Sequence, residues 1–131
     1  MADFDGDAYD DLAIGSPGAT VNGVRGAGDL VIVFGGPDLV AEGAEDPMDP
    51  MKRLPATLKL DRTQILDQAA GAVPGEPSSR AAWAAGLGVA DLDGDGRPDL
   101  IVSSEEAVNR LSGAGSVTVL YGGPGGPESR L

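Results

Sequence analysis

The chain has 131 residues, enough for one domain with one core, and its hydrophobic share of 41% includes only 4% aromatic residues, so the core must be built largely from Val, Leu, Ile and Ala. Nine Lys and Arg against 21 Asp and Glu give a formal charge of −12, which disfavours nucleic acid as a partner and favours cations. Cysteine and histidine are absent, which excludes disulfides, thiolate metal sites and the commonest general base.

The chain begins with "MADFDGDAYD", which has neither the basic start nor the apolar stretch of a signal peptide. No apolar run approaches the roughly 20 residues that a membrane-spanning helix needs. We therefore expect no membrane span, and no secretion signal within this sequence.

The first half of the chain reads as an acidic loop followed by strands. After the loop at residues 3–11 come "DLAIGSP" and "GDLVIVFGG", which are apolar runs bounded by turn-forming residues. Residues 38–55 are rich in Pro, Gly and acids and are predicted to be a solvated connector. Residues 56–62, "ATLKLDR", alternate apolar and polar side chains as a half-exposed edge strand does.

The second half repeats this order. Residues 68–80 are predicted to be a loop, and "WAAGLGVADL" at residues 83–92 an interior strand of small residues. A second acidic loop follows at residues 91–99, and the strands "DLIVSSE" and "GSVTVLYGG" come after it. The acidic loops repeat with a shift of 88 residues and "GAGDLVIVFGGP" recurs as "GAGSVTVLYGGP" with a shift of 87, which indicates two structural units.

The acidic loops have the chemistry of calcium sites. Four carboxylates converging in one turn repel strongly unless a cation lies between them, and Ca²⁺ takes six to eight oxygen ligands in flexible geometry. Acids at alternate loop positions would each reach inward, the seventh position would offer a backbone carbonyl, and Gly6 and Gly94 would permit the turn. The predicted ligands are Asp3, Asp5, Asp7, Tyr9 and Asp11 in the first loop, and Asp91, Asp93, Asp95, Arg97 and Asp99 in the second.

Two other interpretations of the loops are weaker. A helix-loop-helix calcium site needs a bidentate Glu at the twelfth position, where this chain has Ile14 and Val102 between strand-like flanks. Asp-Gly turns without a metal are the second alternative. The repetition of the loop in matched contexts favours calcium over both.

These motifs resemble a known family. "ADFDGDAYDDLAIGSPG" followed by "GDLVIVFGGP", and then "WAAGLGVADLDGDGRPDLIV", are similar to the FG-GAP repeats of the integrin alpha-subunit head and its bacterial relatives. In that family a calcium loop joins strands one and two of a propeller blade, and Gly-Ala-Pro ends strand two. Here "IGSP" at residues 14–17 is close to that motif, whereas "VSSE" at 102–105 departs from it. The family also has a Phe-Gly pair that opens the innermost strand of a blade, and Trp83-Ala84 stands in its place here.

The resemblance implies an all-β fold, a partial β-propeller of about one and a half four-stranded antiparallel blades with calcium-binding hairpin loops. Residues 1–67 would be a first blade without its innermost strand, and residues 68–131 a second blade without its outermost strand. Because a blade packs against its neighbours, we expect either self-association or a place in a longer propeller.

The function that the resemblance implies is a noncatalytic extracellular or cell-surface module for adhesion or binding of a protein or carbohydrate ligand. The alternative is an accessory propeller of a secreted hydrolase or lyase. Catalysis by paired carboxylates is disfavoured because calcium would leave them no proton to exchange. Trp83 could stack on a sugar, but its position at the start of an inner strand favours core packing, as for Phe34 and Tyr121 before the Gly-Gly-Pro turns.

Overall fold

Two antiparallel sheets account for most of the regular structure. The computed structural model describes residues 1–36, 40–41, 45–46, 48–53, 57–58, 62–69, 73–105 and 113–130. The strands in these ranges are β1 (Leu12–Ser16), β2 (Asp29–Val33), β3 (Val40–Ala41), β4 (Glu45–Asp46), β5 (Asp49–Arg53), β6 (Thr57–Leu58), β7 (Thr63–Leu66), β8 (Leu87–Ala90), β9 (Asp99–Ser104) and β10 (Ser116–Leu120). The described residues contain no helix, and therefore none long and apolar enough to cross a membrane.

The first sheet has the order β1-β2-β7 and the second the order β10-β9-β8, and all their pairings are antiparallel. The two sheets are built alike. Leu12 pairs with Val33 in the first sheet, and the repeat-related Leu100 pairs with Leu120 in the second. The all-β architecture of two three-stranded sheets is that expected of part of a β-propeller.

The outermost strand of the first sheet begins later in the chain than the alternation pattern predicts. The segment that pairs with β2 is Thr63–Leu66, so the strand predicted at residues 56–62 does not take this place in the sheet. Residues 57–58 instead form β6 and pair with β3, and residues 59–61 lie outside the described residues. Pairing with β2 buries Leu66 against Leu30, and this gain in apolar burial decides the register over local alternation.

The connector predicted at residues 38–55 also contains strands. Within it, β4 and β5 form a two-stranded hairpin with a register irregularity, and in β5 the side chain of Asp49 accepts the backbone N–H of Met51 at 3.1 Å. Met48 and Met51 are almost fully exposed. The prediction of a plain loop is therefore wrong for these residues, although the two methionines do lie in solvent.

The core lies between the two sheets. Each sheet contributes one face of aliphatic side chains to it, and Trp83 closes it. Trp83 is fully buried and Phe34 is nearly so, as predicted, whereas Tyr121 is half-buried. The buried cluster consists of Phe4, Leu30, Ile32, Phe34, Leu66, Val73, Trp83, Ala84, Leu100, Val102 and Leu120.

The segment before β8 joins the two sheets through its backbone. Ala82 N–H donates to the carbonyl of Gly26 at 2.9 Å and Trp83 N–H to that of Ala27 at 3.0 Å. The segment reaches these acceptors by adopting positive φ at Ala82 and Ala84, a conformation that is strained for a residue with a Cβ. A Cβ on Gly28 would come within 2.1 Å of the Trp83 carbonyl oxygen, so glycine is required at this contact.

Candidate metal centres

Both acidic loops are wound around their first aspartate. In the first loop the carboxylate of Asp3 accepts backbone N–H groups of Gly6 at 2.7 Å, Asp7 at 3.0 Å and Ala8 at 2.8 Å. A side chain that accepts several successive N–H groups stabilises a tight turn. Positive φ at Gly6 (81°) and at Ala8 (74°) turns those groups toward Asp3.

The second loop repeats this geometry. Asp91 accepts the N–H groups of Gly94 at 2.8 Å, Asp95 at 3.1 Å and Gly96 at 2.9 Å. Gly94 and Gly96 carry the positive φ values here, so the second loop has glycine where the first has the strained Ala8. Two sequences therefore adopt the same turn, which supports the repeat predicted from the acids.

The last aspartate of each loop is buried where a strand begins, since Asp11 immediately precedes β1 and Asp99 is the first residue of β9. Asp11 accepts the N–H of Phe4 at 2.7 Å on one oxygen and that of Gly35 at 2.8 Å on the other. Asp99 accepts from Leu92 at 2.7 Å and Gly122 at 3.0 Å in the same way. Each carboxylate thus ties the start of its loop to the turn that follows β2 in the first unit or β10 in the second.

The Gly-Gly-Pro turns are needed for this contact. A Cβ on Gly35 would lie 2.3 Å from the carbonyl oxygen of Asp10, and one on Gly122 would lie 2.5 Å from that of Pro98. No side chain fits at such distances. The repeated glycines therefore allow the turn to approach the acidic loop closely enough to donate to Asp11 or Asp99.

Three of the predicted ligands converge in each loop. Each offers a carboxylate oxygen, and the three oxygens all lie within 4.8 Å of one another. The groups are Asp3, Asp5 and Asp11 in the first loop, and Asp91, Asp93 and Asp99 in the second. An all-oxygen set of this density fits a hard cation such as Ca²⁺, and it lacks the nitrogen and sulfur ligands that transition metals prefer.

The other four predicted ligands lie beside these groups. Asp7 accepts the N–H of Tyr9 at 2.9 Å, and Asp95 accepts that of Arg97 at 2.8 Å. Neither Asp7 nor Asp95 belongs to the converging trios. That Asp7 and Asp95 bind the ion with their side chains, and Tyr9 and Arg97 with their carbonyls, stays a prediction.

An arginine from outside the loop neutralises part of each cluster. Arg62 donates to Asp5 at 2.6 Å and to Asp7 at 3.2 Å, and its guanidinium lies 5.4 Å from the Phe34 ring centroid. The hydrogen bond from the Tyr9 N–H, with Arg62 adding to it, lowers the pKa of Asp7.

The second loop has an equivalent arginine. Arg130 donates to Asp93 and lies 3.7 Å from Asp95, and its guanidinium lies 4.5 Å from the centroid of Tyr121, the residue that repeats Phe34. The hydrogen bond from Arg130 is the main reason that the pKa of Asp93 is lowered. Sequence reasoning missed both arginines, and the only available signal was the excess of negative charge that they partly balance.

Asp11 is the carboxyl group most affected by burial in the first loop. Its side chain is removed from water, which raises its pKa, and the charges of Asp5 and Asp3 raise it further against two stabilising backbone hydrogen bonds. A cation bound among these oxygens would favour the ionised form. The electrostatics of the loop therefore agree with the chemistry of the oxygen cluster.

Comparison with known proteins supports the repeat. The sequence model of the FG-GAP repeat matches residues 1–33 and 83–120, which together make up more than half of the chain. The matched ranges contain both acidic loops and five of the six strands of the two sheets. No curated protein and no solved structure matches the chain.

Proposed function

The chain belongs to the FG-GAP repeat family, and on that premise we propose that it is a calcium-binding segment of a β-propeller with one Ca²⁺ in each acidic loop. The observation that carries this proposal is the convergence of three carboxylate oxygens within 4.8 Å, found twice at repeat-related positions. Asp3, Asp5 and Asp11 would hold one ion, and the corresponding residues of the second loop the other.

The bound ion would act on structure. Through Asp11 or Asp99, each loop is joined to the turn that follows β2 or β10. A cation that neutralises the converging carboxylates removes the repulsion between them, so the strand ends stay together. The protein residues supply the ligands and the backbone scaffold, and the ion supplies positive charge.

The two units would be incomplete propeller blades. Residues 1–67 would form a blade without its innermost strand, and residues 68–131 a blade without its outermost strand. The strand orders β1-β2-β7 and β10-β9-β8 support this assignment. In each sheet one strand, β1 or β9, directly follows an acidic loop. Among the described residues, only the second sheet also has a strand that directly precedes its loop, which is β8.

We further propose a noncatalytic role as an extracellular or cell-surface module that binds a protein or carbohydrate ligand. FG-GAP repeats are typical of proteins in such locations. The converging carboxylates accept backbone N–H groups and would be occupied by the ion, and the sequence has no histidine to serve as a base beside them.

Isothermal calorimetry with Ca²⁺ tests the proposal. We expect two sites per chain, with dissociation constants in the range of about 10⁻⁶ to 10⁻³ M. Asp5→Ala and Asp93→Ala should each abolish one site and leave the other. Asp10→Ala is the matched control, because Asp10 carries the same charge in the first loop and is exposed outside the trio.

Fewer than two sites in the unmodified chain would contradict the proposal. Loss of both sites in either single variant would show instead that the loops act as one unit. A loss of affinity in Asp10→Ala equal to that in Asp5→Ala would mean that overall charge, not the converging oxygens, determines binding.

A further inference from the structure

The register of the first sheet separates a covered face from an open one. Residues paired across antiparallel strands lie on the same face, so Leu30, its partner Leu66, and Ile32 share the face that is buried against the second sheet. Ile14 lies on the opposite face with Val31 and Ile65. On this open face, called the first outer face, Leu12, Ile14 and Ile65 are 43%, 44% and 64% exposed.

The second sheet has the reverse arrangement. Leu100, Val102 and Leu120 lie on the face that is buried against the first sheet. Val117 pairs with Ser103 and Val119 pairs with Ile101 on the opposite face, and Val117 is 66% exposed. This open face, with Leu92 of the acidic loop at its border, is called the second outer face.

The repeat relates each outer face to a face that is buried within the same chain. Leu12 and Ile14 on the first outer face repeat as Leu100 and Val102, which are fully buried in the second sheet. The first outer face therefore has aliphatic side chains at the repeat-related positions that the second sheet uses to cover the first sheet.

The same relation holds in the other direction. Val117 on the second outer face repeats Leu30, and Leu92 repeats Phe4. Leu30 and Phe4 are both fully buried. The second outer face therefore corresponds to the surface of the first sheet that is already covered, and the chain has an open copy of each half of its own internal interface.

We propose that the second outer face of one chain binds the first outer face of another copy, reproducing the contact between the two sheets within the chain. Exposed apolar faces of this kind are sites of association. The occupant is a second copy because this chain contains the complementary surface, shown in place by its own sheet-to-sheet packing.

This contact joins two different surfaces, so it is head-to-tail. Such contacts close into rings when the rotation between copies permits, and otherwise extend into filaments. Propellers have four to eight blades, and a ring built from two-unit chains would therefore contain about two to four copies. Trp83 contributes to the buried contact within the chain, but the first outer face has no tryptophan to contribute to the contact between copies. We therefore expect binding between copies to be weaker than the contact within the chain.

The charge of the chain opposes the contact, since each copy carries −12. Two bound calcium ions would offset four of these negative charges per copy. We therefore expect association to be strongest in calcium and at moderate salt. The apolar residues that make the two faces complementary lie outside the two oxygen clusters. The match between the faces therefore does not require a bound metal.

Sedimentation velocity between about 1 μM and 1 mM protein tests the proposal with two single variants. Ile14→Lys places a charge on the first outer face, and Val117→Lys places one on the second. Both side chains are solvent-accessible, so both variants should fold. Met51→Lys, at a residue 93% exposed outside both sheets, is the matched control for the added positive charge.

We expect the unmodified chain and Met51→Lys to associate with increasing concentration, and each face variant alone to stay monomeric. An equimolar mixture of Ile14→Lys and Val117→Lys should form a dimer and nothing larger, because each variant retains one intact face of opposite kind. Circular dichroism of each variant separates loss of association from loss of folding.

A monomeric unmodified chain at the highest concentration in calcium would overturn the proposal. Association of both face variants to the same extent as Met51→Lys would also overturn it. So would association of the unmodified chain with no complementation in the mixture, because that result indicates a symmetric contact. Calorimetry with Ca²⁺ on the same preparation reports separately whether the ions bind, so a failure of the faces is distinguished from a failure of the calcium sites.

Discussion

The two acidic loops have the same hydrogen bonds but different surroundings. Phe4 in the first loop and Leu92 in the second both donate their N–H at 2.7 Å to the last aspartate of the loop. Phe4 is fully buried, whereas Leu92 is 52% exposed. The carbonyl of Phe4 accepts the N–H of Gly123 from the second unit. The loop sequence therefore determines the local turn, and the presence of a neighbouring unit determines what is buried.

The Gly-Ala-Gly turns differ in the same way. Ala27 is 1% exposed because the segment containing Trp83 lies on it, while the repeat-related Ala114 is exposed. Alanine at this repeated position is therefore packed against protein in the first unit and exposed to solvent in the second. The first unit shows what the second would look like with a further unit packed on it.

Truncating the apolar residue of each loop gives the largest expected difference. Phe4→Ala should lower the free energy of unfolding by about 3–5 kcal/mol, because it removes a fully buried aromatic ring. Leu92→Ala should change it by no more than about 0.5 kcal/mol, as exposed substitutions do. Urea denaturation in calcium, at a protein concentration at which the chain is monomeric, measures both, and equal losses would mean that the second loop is covered within one chain as well.

Substituting the last glycine of each Gly-Ala-Gly turn gives the next largest difference. Gly115→Ala should cost about 1–2 kcal/mol, since φ is +78° and a left-handed alanine is strained. Gly28→Ala should cost at least about 1 kcal/mol more, because its Cβ would also lie 2.1 Å from the Trp83 carbonyl oxygen. A similar cost at both positions in thermal denaturation would show that contact with Trp83 is unimportant.

Removing the arginines should change calcium affinity modestly. Arg62→Gln removes a cation that donates to Asp5 and Asp7, so calcium should bind the first loop more tightly. Because exposed ion pairs are weak, we expect an increase in affinity of no more than about fivefold. Arg130→Gln should do the same for the second loop, and calorimetry showing weaker binding would mean that the arginines preform the sites.

The smallest expected effect is that of pH on calcium affinity, which should be slight near neutral pH. Burial raises the pKa of Asp11, and calcium binds the ionised carboxylate, so protons compete with the ion as pH falls through this raised value. In Asp93→Ala, which retains only the first site, calcium affinity should be nearly constant around neutral pH and fall as pH approaches about 4. A first-loop affinity that does not fall over this range would exclude Asp11 as a ligand.

The sequence predicts the parts of the fold that depend on local chemistry. Asp-Gly turns and Val-rich runs indicate both loops and the strands β1, β2, β8, β9 and β10, and the family match confirms the FG-GAP assignment. The outermost strand of the first sheet lies at Thr63–Leu66, where two polar residues are followed by two apolar ones. This segment shows no alternation, so only its pairing with β2 identifies it as the strand. The hairpin of β4 and β5 was missed because its prolines read as a loop.

The site is less predictable than the fold where distant residues take part. Arg62 reaches Asp5 across 57 positions of sequence, and Arg130 reaches Asp93 across 37. No local motif marks such contacts. The exposure of Leu92 is equally hidden, because it depends on what packs against the loop and not on the loop residues.

Thermal denaturation in calcium and in chelator tests the central claim most directly. Binding to the folded state alone stabilises by RT ln(1 + [Ca²⁺]/Kd), about 2.7 kcal/mol per site at a hundredfold excess over Kd. With two sites, we expect Tm to be more than about 10 °C higher in calcium than in chelator, and Mg²⁺ to restore little of this because it prefers a tighter octahedral shell. Identical melting curves in calcium and in chelator would contradict the assignment of both acidic loops as calcium sites.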